Sequence, residues 1–131
     1  MSGPLFVDTN VFIATLTDEP QRGAVATALL DGSRTLATST LVLMELRTVL
    51  AKKKRVEQSR VEETLADLRE DLLVFPPAIQ DVVNAESLQQ ETLLYPMDAL
   101  LLAQAQRRDW PFVTFDGELL ANGAVPLDEF I

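Results

Sequence analysis

The chain of 131 residues contains no cysteine and no histidine. These absences exclude disulfides and thiolate or imidazole zinc sites, and they also exclude catalysis by a Ser-His-Asp triad or a Cys-His pair. The five glycines are scattered, so the sequence has no glycine-rich phosphate-binding loop. What remains for chemistry is carboxylate oxygen, the ligand type that suits Mg²⁺ or Mn²⁺.

Long apolar runs are also missing, since none approaches the ~20 residues that a membrane-spanning helix needs. The N-terminus lacks the basic region of a secretory signal and reaches Asp8 almost at once. With neither a signal nor cysteine, we expect a cytoplasmic protein without membrane association. The length predicts a single domain over residues 1–131, large enough to bury a core of its own.

Positive charge is scarce, because 11 Lys and Arg face 20 Asp and Glu for a net charge of −9. Such a surface repels nucleic acid, so an acidic nuclease needs metal ions and a local basic patch. The only basic run, Lys52-Lys53-Lys54-Arg55, is the candidate RNA-binding patch, and a solvated helix end is its alternative interpretation. The acidity also fits a basic partner protein or a high-salt source, and the sequence does not separate these.

Short β-like runs alternate with longer helical patterns, which predicts an α/β domain with a parallel sheet and helices on its faces. The predicted strands are Leu5–Val7, Thr35–Thr38, Leu72–Phe75 and Phe112–Thr114, with an edge strand allowed at Ala124–Leu127. The predicted helices are Asn10–Leu16, Pro20–Leu30, Thr40–Lys53, Glu57–Asp71, Ala78–Thr92, Met97–Arg108 and Gly117–Ala121. Asp8 and Asp116 then fall at the C-terminal ends of strands, the edge where open parallel sheets bind ligands.

Four acidic residues stand in apolar stretches where a solvated carboxylate is not expected: Asp8, Glu45, Asp98 and Asp116. An ionised carboxylate is costly to bury unless it is paired or binds a cation. Taken singly, each has an ordinary explanation as a helix cap, a turn residue or the partner of an arginine. One shared explanation is better than four coincidences, and it predicts a carboxylate site for a divalent metal ion.

A polar residue lies close in sequence to the first and to the last of these four acids. Asn10 and Thr114 each lie two residues from an acid, Asp8 and Asp116 respectively, and are predicted to orient those carboxylates. Ordinary capping and strand-end hydrogen bonding are the alternative.

The order and spacing of these motifs resemble those of a PIN domain. The motifs are Asp8-Thr9-Asn10, Ser39-Thr40 before Glu45, Met97-Asp98-Ala99-Leu100 and Val113-Thr114-Phe115-Asp116. The resemblance covers essentially the whole chain and points in particular to the small stand-alone domains of VapC-type toxins in prokaryotic toxin–antitoxin pairs. It implies a PIN-like three-layer α/β/α fold with a parallel sheet of about five strands. It also implies a metal-dependent endoribonuclease, a hydrolase of phosphodiester bonds.

The functional residues of the family can be carried over by position. The resemblance then implies that the metal ligands, which are also the catalytic residues, are Asp8, Glu45, Asp98 and Asp116. The fourth acid is the most variable in the family, and Glu118 lies close enough in sequence to assist or replace Asp116. Mg²⁺ or Mn²⁺ is the implied cofactor and RNA the implied substrate. A small antitoxin and a second copy of the chain, forming a homodimer, are the implied partners.

Three other functions stay open at this point. PIN domains also serve as housekeeping RNA-processing nucleases. A phosphoacceptor signalling domain gathers acids and a metal at the end of a parallel sheet, but it needs a lysine late in the chain and an acidic pair after the first strand. Here all three lysines lie at 52–54 and Thr9 follows Asp8. The third function is that of a non-catalytic binding module that keeps the fold, against which the intact acid set argues.

Overall fold

The computed structural model describes residues 3–131, and a four-stranded parallel sheet forms the centre of this part of the chain. The strands are β1 (Leu5–Val7), β2 (Leu36–Ser39), β3 (Leu73–Phe75) and β4 (Phe112–Val113), in the spatial order β3-β2-β1-β4. Leu5 of β1 pairs with Leu36 of β2, and Val7 of β1 pairs with Val113 of β4. The chain adds β2 and β3 on one side of β1 and then returns to add β4 on the other. The strand order therefore reverses beside β1.

The connections between the strands are helical. The helices are α1 (Thr9–Leu16), α2 (Arg22–Leu30), α3 (Thr40–Thr48), α4 (Gln58–Asp71), α5 (Ile79–Glu91), α6 (Pro96–Arg107) and α7 (Gly117–Leu120), with a π-helical segment at Val49–Lys53 and a 3₁₀ turn at Leu127–Phe130. Crossovers between parallel strands are right-handed, so α1 to α4 cover one face of the sheet. The chain then crosses in the opposite direction, which places α5 and α6 on the other face. The packing of α1 against α2 and α3, and of α5 against α6, agrees with these layers.

The centre of the sheet is the best-buried part of the fold. All three residues of β1 are buried, as expected for an apolar strand covered on both faces. Phe6 of β1 meets Phe112 of β4 edge to face, with ring centroids 5.9 Å apart. At the sheet edge, Leu73 of β3 is 44% exposed. The strands that carry Asp8 and Thr114 at their ends are thus held by the most firmly packed part of the core.

The predicted α/β architecture is confirmed, and most element boundaries agree within one or two residues. The sheet has four strands in residues 3–131 rather than about five, because the edge strand predicted at Ala124–Leu127 is reduced to one bridge between Val113 and Val125. Pro126 follows at once and has no N–H to donate, and the chain then turns into the 3₁₀ segment. None of the helices in this part of the chain is both long enough and apolar enough to cross a membrane.

The helix predicted at Thr40–Lys53 changes type along its length. It is α-helical to Thr48 and continues as a π-helix from Val49 to Lys53. The N–H of Lys54 donates to the carbonyl of Val49, 2.9 Å away, which is the i→i+5 bond of a π turn. This wider turn changes the direction of the side chains that follow it.

A buried ion pair joins the two helices on the second face of the sheet. Asp81 in the first turn of α5 is fully buried and accepts a hydrogen bond from Arg107 Nε in α6, with 2.5 Å between Nε and Oδ1. Its other oxygen accepts from the N–H of Ala78, 2.8 Å away, and so caps α5. Burial by itself would raise the pKa of Asp81, but the bond from Arg107 and the one from Ala78 outweigh it and hold this pKa below its usual value.

Replacing Asp81 with Ala removes both the cap and the ion pair, so we expect a loss of about 3 kcal/mol in the free energy of unfolding. Urea denaturation at neutral pH measures this loss. Asp81→Asn is the matched variant, because its amide oxygen still accepts from Ala78 while its charge is gone. A loss below about 1 kcal/mol for the Ala variant would contradict a structural role for the pair.

Candidate functional site

The four predicted acids line one open groove of about 270 Å³ at the C-terminal edge of the sheet. Asp8 directly follows β1, and Asp116 follows β4 and begins α7. Glu45 comes from the middle of α3, and Asp98 from the first turn of α6. Side chains from four separate segments therefore meet beside β1, where the strand order reverses. In open α/β sheets this switch point is the usual place for a ligand.

Asp8 is the most constrained of the four. It is buried and is the N-cap of α1, where its Oδ1 accepts from the N–H of Thr9 at 2.7 Å. Its Oδ2 accepts from Thr114 Oγ1 at 2.8 Å. With a hydrogen bond to each oxygen, the carboxylate has a fixed orientation at the bottom of the groove.

Thr114 and Asn10 form the hydrogen-bond network that connects the two strand ends. The Thr114 hydroxyl donates to Asp8 and accepts from Asn10 Nδ2 at 3.1 Å and from the N–H of Asp116 at 3.0 Å. Asn10 Oδ1 also accepts from the N–H of Phe115 at 3.3 Å. The two residues predicted to orient the acids thus lie in contact with each other, with the Asp8 carboxylate and with the backbone of Asp116.

Glu45 differs from the sequence-based expectation, because its side chain is exposed rather than buried. The Ser39 hydroxyl accepts from the N–H of Leu41 at 3.1 Å and caps α3, and the buried side of α3 carries Val42, Leu43 and Leu46. Glu45 falls beside that stripe and projects into the groove, where water reaches it. Of the apolar residues next to it in sequence, Leu43 and Leu46 belong to the buried stripe and Met44 is 62% exposed, so these neighbours did not indicate burial of Glu45.

Thr9 is a site residue that the sequence reasoning did not single out. Its side chain is buried, and its hydroxyl donates to Glu45 Oε1 at 2.6 Å. Because its N–H also donates to Asp8, this one residue connects two of the four carboxylates. The available signal was its place within Asp8-Thr9-Asn10, between two residues that had already been selected.

Asp98 and Asp116 are both half-buried. Asp116 is the N-cap of α7, and its Oδ1 accepts from the N–H groups of Glu118 at 2.8 Å and Leu119 at 3.2 Å. Asp98 accepts no hydrogen bond from any group in residues 3–131. Glu118 is exposed and is not among the groove-lining residues, so Asp116 is the acid that this segment contributes to the groove.

The proximity of the carboxylates changes their acidity. Burial raises the pKa of Asp8 to about 6 despite the hydrogen bonds from Thr114 and Thr9, and the charges of Asp98 and Glu45 add to the rise. The pKa of Asp98 is also raised to about 6, first by burial and then by the charges of Asp116, Glu45 and Glu118. The groove is therefore a region of negative potential, and within residues 3–131 none of its four carboxylates forms a salt bridge.

These residues fit a hard divalent cation in donor type and in charge. All four side chains offer carboxylate oxygen, the donor that Mg²⁺ and Mn²⁺ prefer, and a cation would relieve the repulsion that raises the two pKa values. Within residues 3–131, no three acidic side chains are already drawn together closely enough to enclose an ion. Mg²⁺ does not need such a cage, because it keeps several waters and is commonly held by one or two carboxylates together with substrate phosphate.

The structure separates the members of the basic run. Lys53 lines the groove together with Ile13 and Val49, beside the four acids. Lys52, Lys54 and Arg55 are exposed and do not line it. Of the four predicted RNA-binding residues, only Lys53 lies on the groove wall.

Residues 5–124 match the PIN domain family, and the chain belongs to this family. Its structural relatives include toxins of toxin–antitoxin pairs, in agreement with the resemblance seen in the sequence. A comparison with curated proteins found no match.

Three solved structures illustrate the likeness. A toxin–antitoxin complex from Klebsiella pneumoniae is 25% identical, with a TM-score of 0.72 over 94% of this chain and 97% of that one. VapC20 from Mycobacterium tuberculosis, a toxin that cleaves the sarcin–ricin loop, is 23% identical, with a TM-score of 0.77 over 92% and 96%. DNA-bound VapBC from Salmonella typhimurium is 21% identical, with a TM-score of 0.71 over 95% and 96%. These likenesses extend over nearly the full length of each chain, and they establish the fold.

Proposed function

We propose that this chain is a metal-dependent endoribonuclease and the toxin of a type II toxin–antitoxin pair. The observation that carries the proposal is the groove in which four carboxylates, from four separate segments, meet at the switch point of a PIN-family sheet. The relative that cleaves the sarcin–ricin loop of RNA supports RNA as the substrate class. The absence of His and Cys from the whole sequence leaves carboxylates as the groups available for this chemistry.

The roles of the residues follow from their contacts. Asp8, Glu45, Asp98 and Asp116 are the proposed ligands of Mg²⁺ or Mn²⁺. When bound, such an ion lowers the pKa of a coordinated water and offsets the charge that develops on the phosphate. Thr9 fixes Asp8 and Glu45 by its N–H and hydroxyl, and Thr114 with Asn10 fixes Asp8 relative to the start of α7. These hydrogen bonds preorganise the carboxylates, which reduces the reorganisation needed when metal and substrate bind.

The proposed partners are a small antitoxin protein and a second copy of the chain. Complexes from Klebsiella pneumoniae and Salmonella typhimurium, which contain a toxin with its antitoxin, support the first of these. An antitoxin would have to cover or block the acidic groove to silence the enzyme. A basic side chain is the simplest group to do so, because the groove carries four acids and one lysine among its lining residues.

The test is cleavage of a mixed panel of single-stranded RNAs by the purified protein with Mg²⁺ or Mn²⁺. We expect cleavage of at least one RNA with the metal and none in excess chelator, because the carboxylates alone lack the positive charge that phosphodiester hydrolysis needs. A preparation of the Asp98→Asn variant, purified in the same way, controls for contaminating nuclease. If the wild type, but not the Asp98→Asn preparation, cleaved RNA equally well in excess chelator, the metal mechanism would be ruled out.

A further inference from the structure

The groove contains one basic side chain. Among the lining residues that the structure describes, Lys53 is the only cation, and it lies beside the acids that follow β1 and β4. Its neighbours Lys52 and Lys54 are exposed elsewhere on the surface. The protein has a net charge of −9, and Lys53 is the member of the basic run that lies among the groove acids.

The π-helical segment explains why Lys53, rather than a neighbour, reaches the groove. Glu45 and Lys53 are eight residues apart, and on a regular α-helix that separation would leave them about 80° apart around the axis. The π turn over Val49–Lys53 is wider, so it rotates less per residue and brings Lys53 back toward the side of Glu45. Single π turns are frequent at functional sites of helical proteins.

Lys53 is available to a ligand. Within residues 3–131 its ammonium group forms no salt bridge with the groove acids or with any other carboxylate. A lysine ammonium is a compact charge with three donors, which suits a phosphate oxygen that approaches from solvent. The nearby carboxylates do not suit that role, because they repel phosphate.

We propose that Lys53, placed on the groove wall by the π turn, binds a backbone phosphate of the nucleic acid that enters the groove. The inference rests on the proposed nuclease function and assigns the substrate contact to one residue of the basic run. The contact is made with substrate and transition state alike, so it acts on binding. Its loss should raise KM and leave kcat nearly unchanged.

The binding test uses a fluorescein-labelled octamer of thymidylate with Mg²⁺ present, read by fluorescence anisotropy over a series of salt concentrations. A single-stranded DNA octamer suffices, because phosphate contacts do not depend on sequence. Lys53→Gln should weaken binding roughly tenfold and reduce the slope of log affinity against log salt by about 0.7, the share of one contact. Lys52→Gln and Lys54→Gln are the matched controls and should change affinity less than about twofold. Lys53→Arg should retain most of the affinity.

The outcomes separate this inference from the proposed function. Equal losses of affinity in all three Gln variants would show a general field effect and overturn the assignment to Lys53. The assignment would also be overturned if Lys53→Gln bound with unchanged affinity, or if the wild type did not bind the octamer. If only Lys53→Gln lost affinity while the wild type cleaved no RNA, the result would support the phosphate contact and overturn the proposed nuclease function. All three positions are exposed, so their melting temperatures should agree and exclude unfolding as the cause.

Discussion

Asp98→Asn is expected to reduce RNA cleavage strongly and at the same time to raise the melting temperature of the metal-free protein. The pKa of Asp98 is raised to about 6, so at pH 7.5 its ionised form is held in an environment that disfavours it. Asn removes the charge and keeps the shape. Because Asp98 accepts no hydrogen bond within residues 3–131, the substitution leaves no donor unsatisfied. Asp8 is a poorer choice, since its oxygens satisfy Thr9 and Thr114.

The expected sizes follow from the same argument. Discounted for solvent screening of a half-buried group, the relief of repulsion amounts to about 1 kcal/mol and raises the melting temperature by about 3–5 °C. Saturating Mg²⁺, at about a hundred times its dissociation constant, should stabilise the wild type by about 2.7 kcal/mol and the variant much less. Activity should fall roughly a hundredfold or more, as when a preorganised electrostatic group is removed.

Asp67→Asn is the matched control, because it makes the same chemical change at an exposed position of α4. It should leave cleavage, the metal-free melting temperature and the Mg²⁺ response unchanged. Equal stabilisation of Asp98→Asn and wild type by Mg²⁺ would show that Asp98 is not a ligand. A lower metal-free melting temperature of the variant would show that the charge of Asp98 is stabilised in the groove, for instance by the N-terminus of α6.

The parts of the fold that could be predicted from the sequence are those set by local pattern. Leu5–Val7 is predicted without error because a short all-apolar run bounded by Pro4 and Asp8 favours a buried strand. Ser39 marks the start of α3 because a hydroxyl at that position satisfies an N–H that the helix leaves unpaired. The possible edge strand at Ala124–Leu127 forms only one bridge, because only Val125 reaches β4 before Pro126 ends the ladder.

The candidate site was predictable as a set of residues and less so as a geometry. Sequence order indicated the four acids, and the crossovers determine that all four reach one edge of the sheet. The exposure of Glu45 could not be read from its apolar neighbours, because Leu43 and Leu46 face the core on an adjacent stripe of α3 while Met44 is exposed. The place of Lys53 depends on a π turn that shifts the helical phase after Val49, and the pattern of residues 40–53 predicted one regular helix there.

The metal-free protein is expected to lose stability as the pH rises from about 4 to about 7, and added Mg²⁺ is expected to reverse this trend. Asp8 and Asp98 have pKa values of about 6 in the folded protein against 3.8 in the unfolded chain. Between these values the folded state binds more protons than the unfolded state, so stability is highest at the lower pH and is lost as the pH rises through 6. For the buried Asp8 the difference is worth about 3 kcal/mol, and the half-buried Asp98 adds a smaller amount.

Urea unfolding at pH 4.5, 5.5, 6.5 and 7.5, with chelator and with saturating Mg²⁺, measures the two trends. Mg²⁺ binds only the ionised carboxylates, so its stabilising effect should be small at pH 4.5 and large at pH 7.5. Asp98→Asn should show a flatter decline in chelator, while Asp67→Asn should follow the wild type. The Asp81–Arg107 pair has the opposite pH dependence. Because the pKa of Asp81 is lowered, the contribution of the pair to stability is lost only at pH values below those of this series. Metal-free stability that rises from pH 4.5 to 7.5, or the same pH dependence with and without Mg²⁺, would contradict a groove of uncompensated carboxylates that binds the cation.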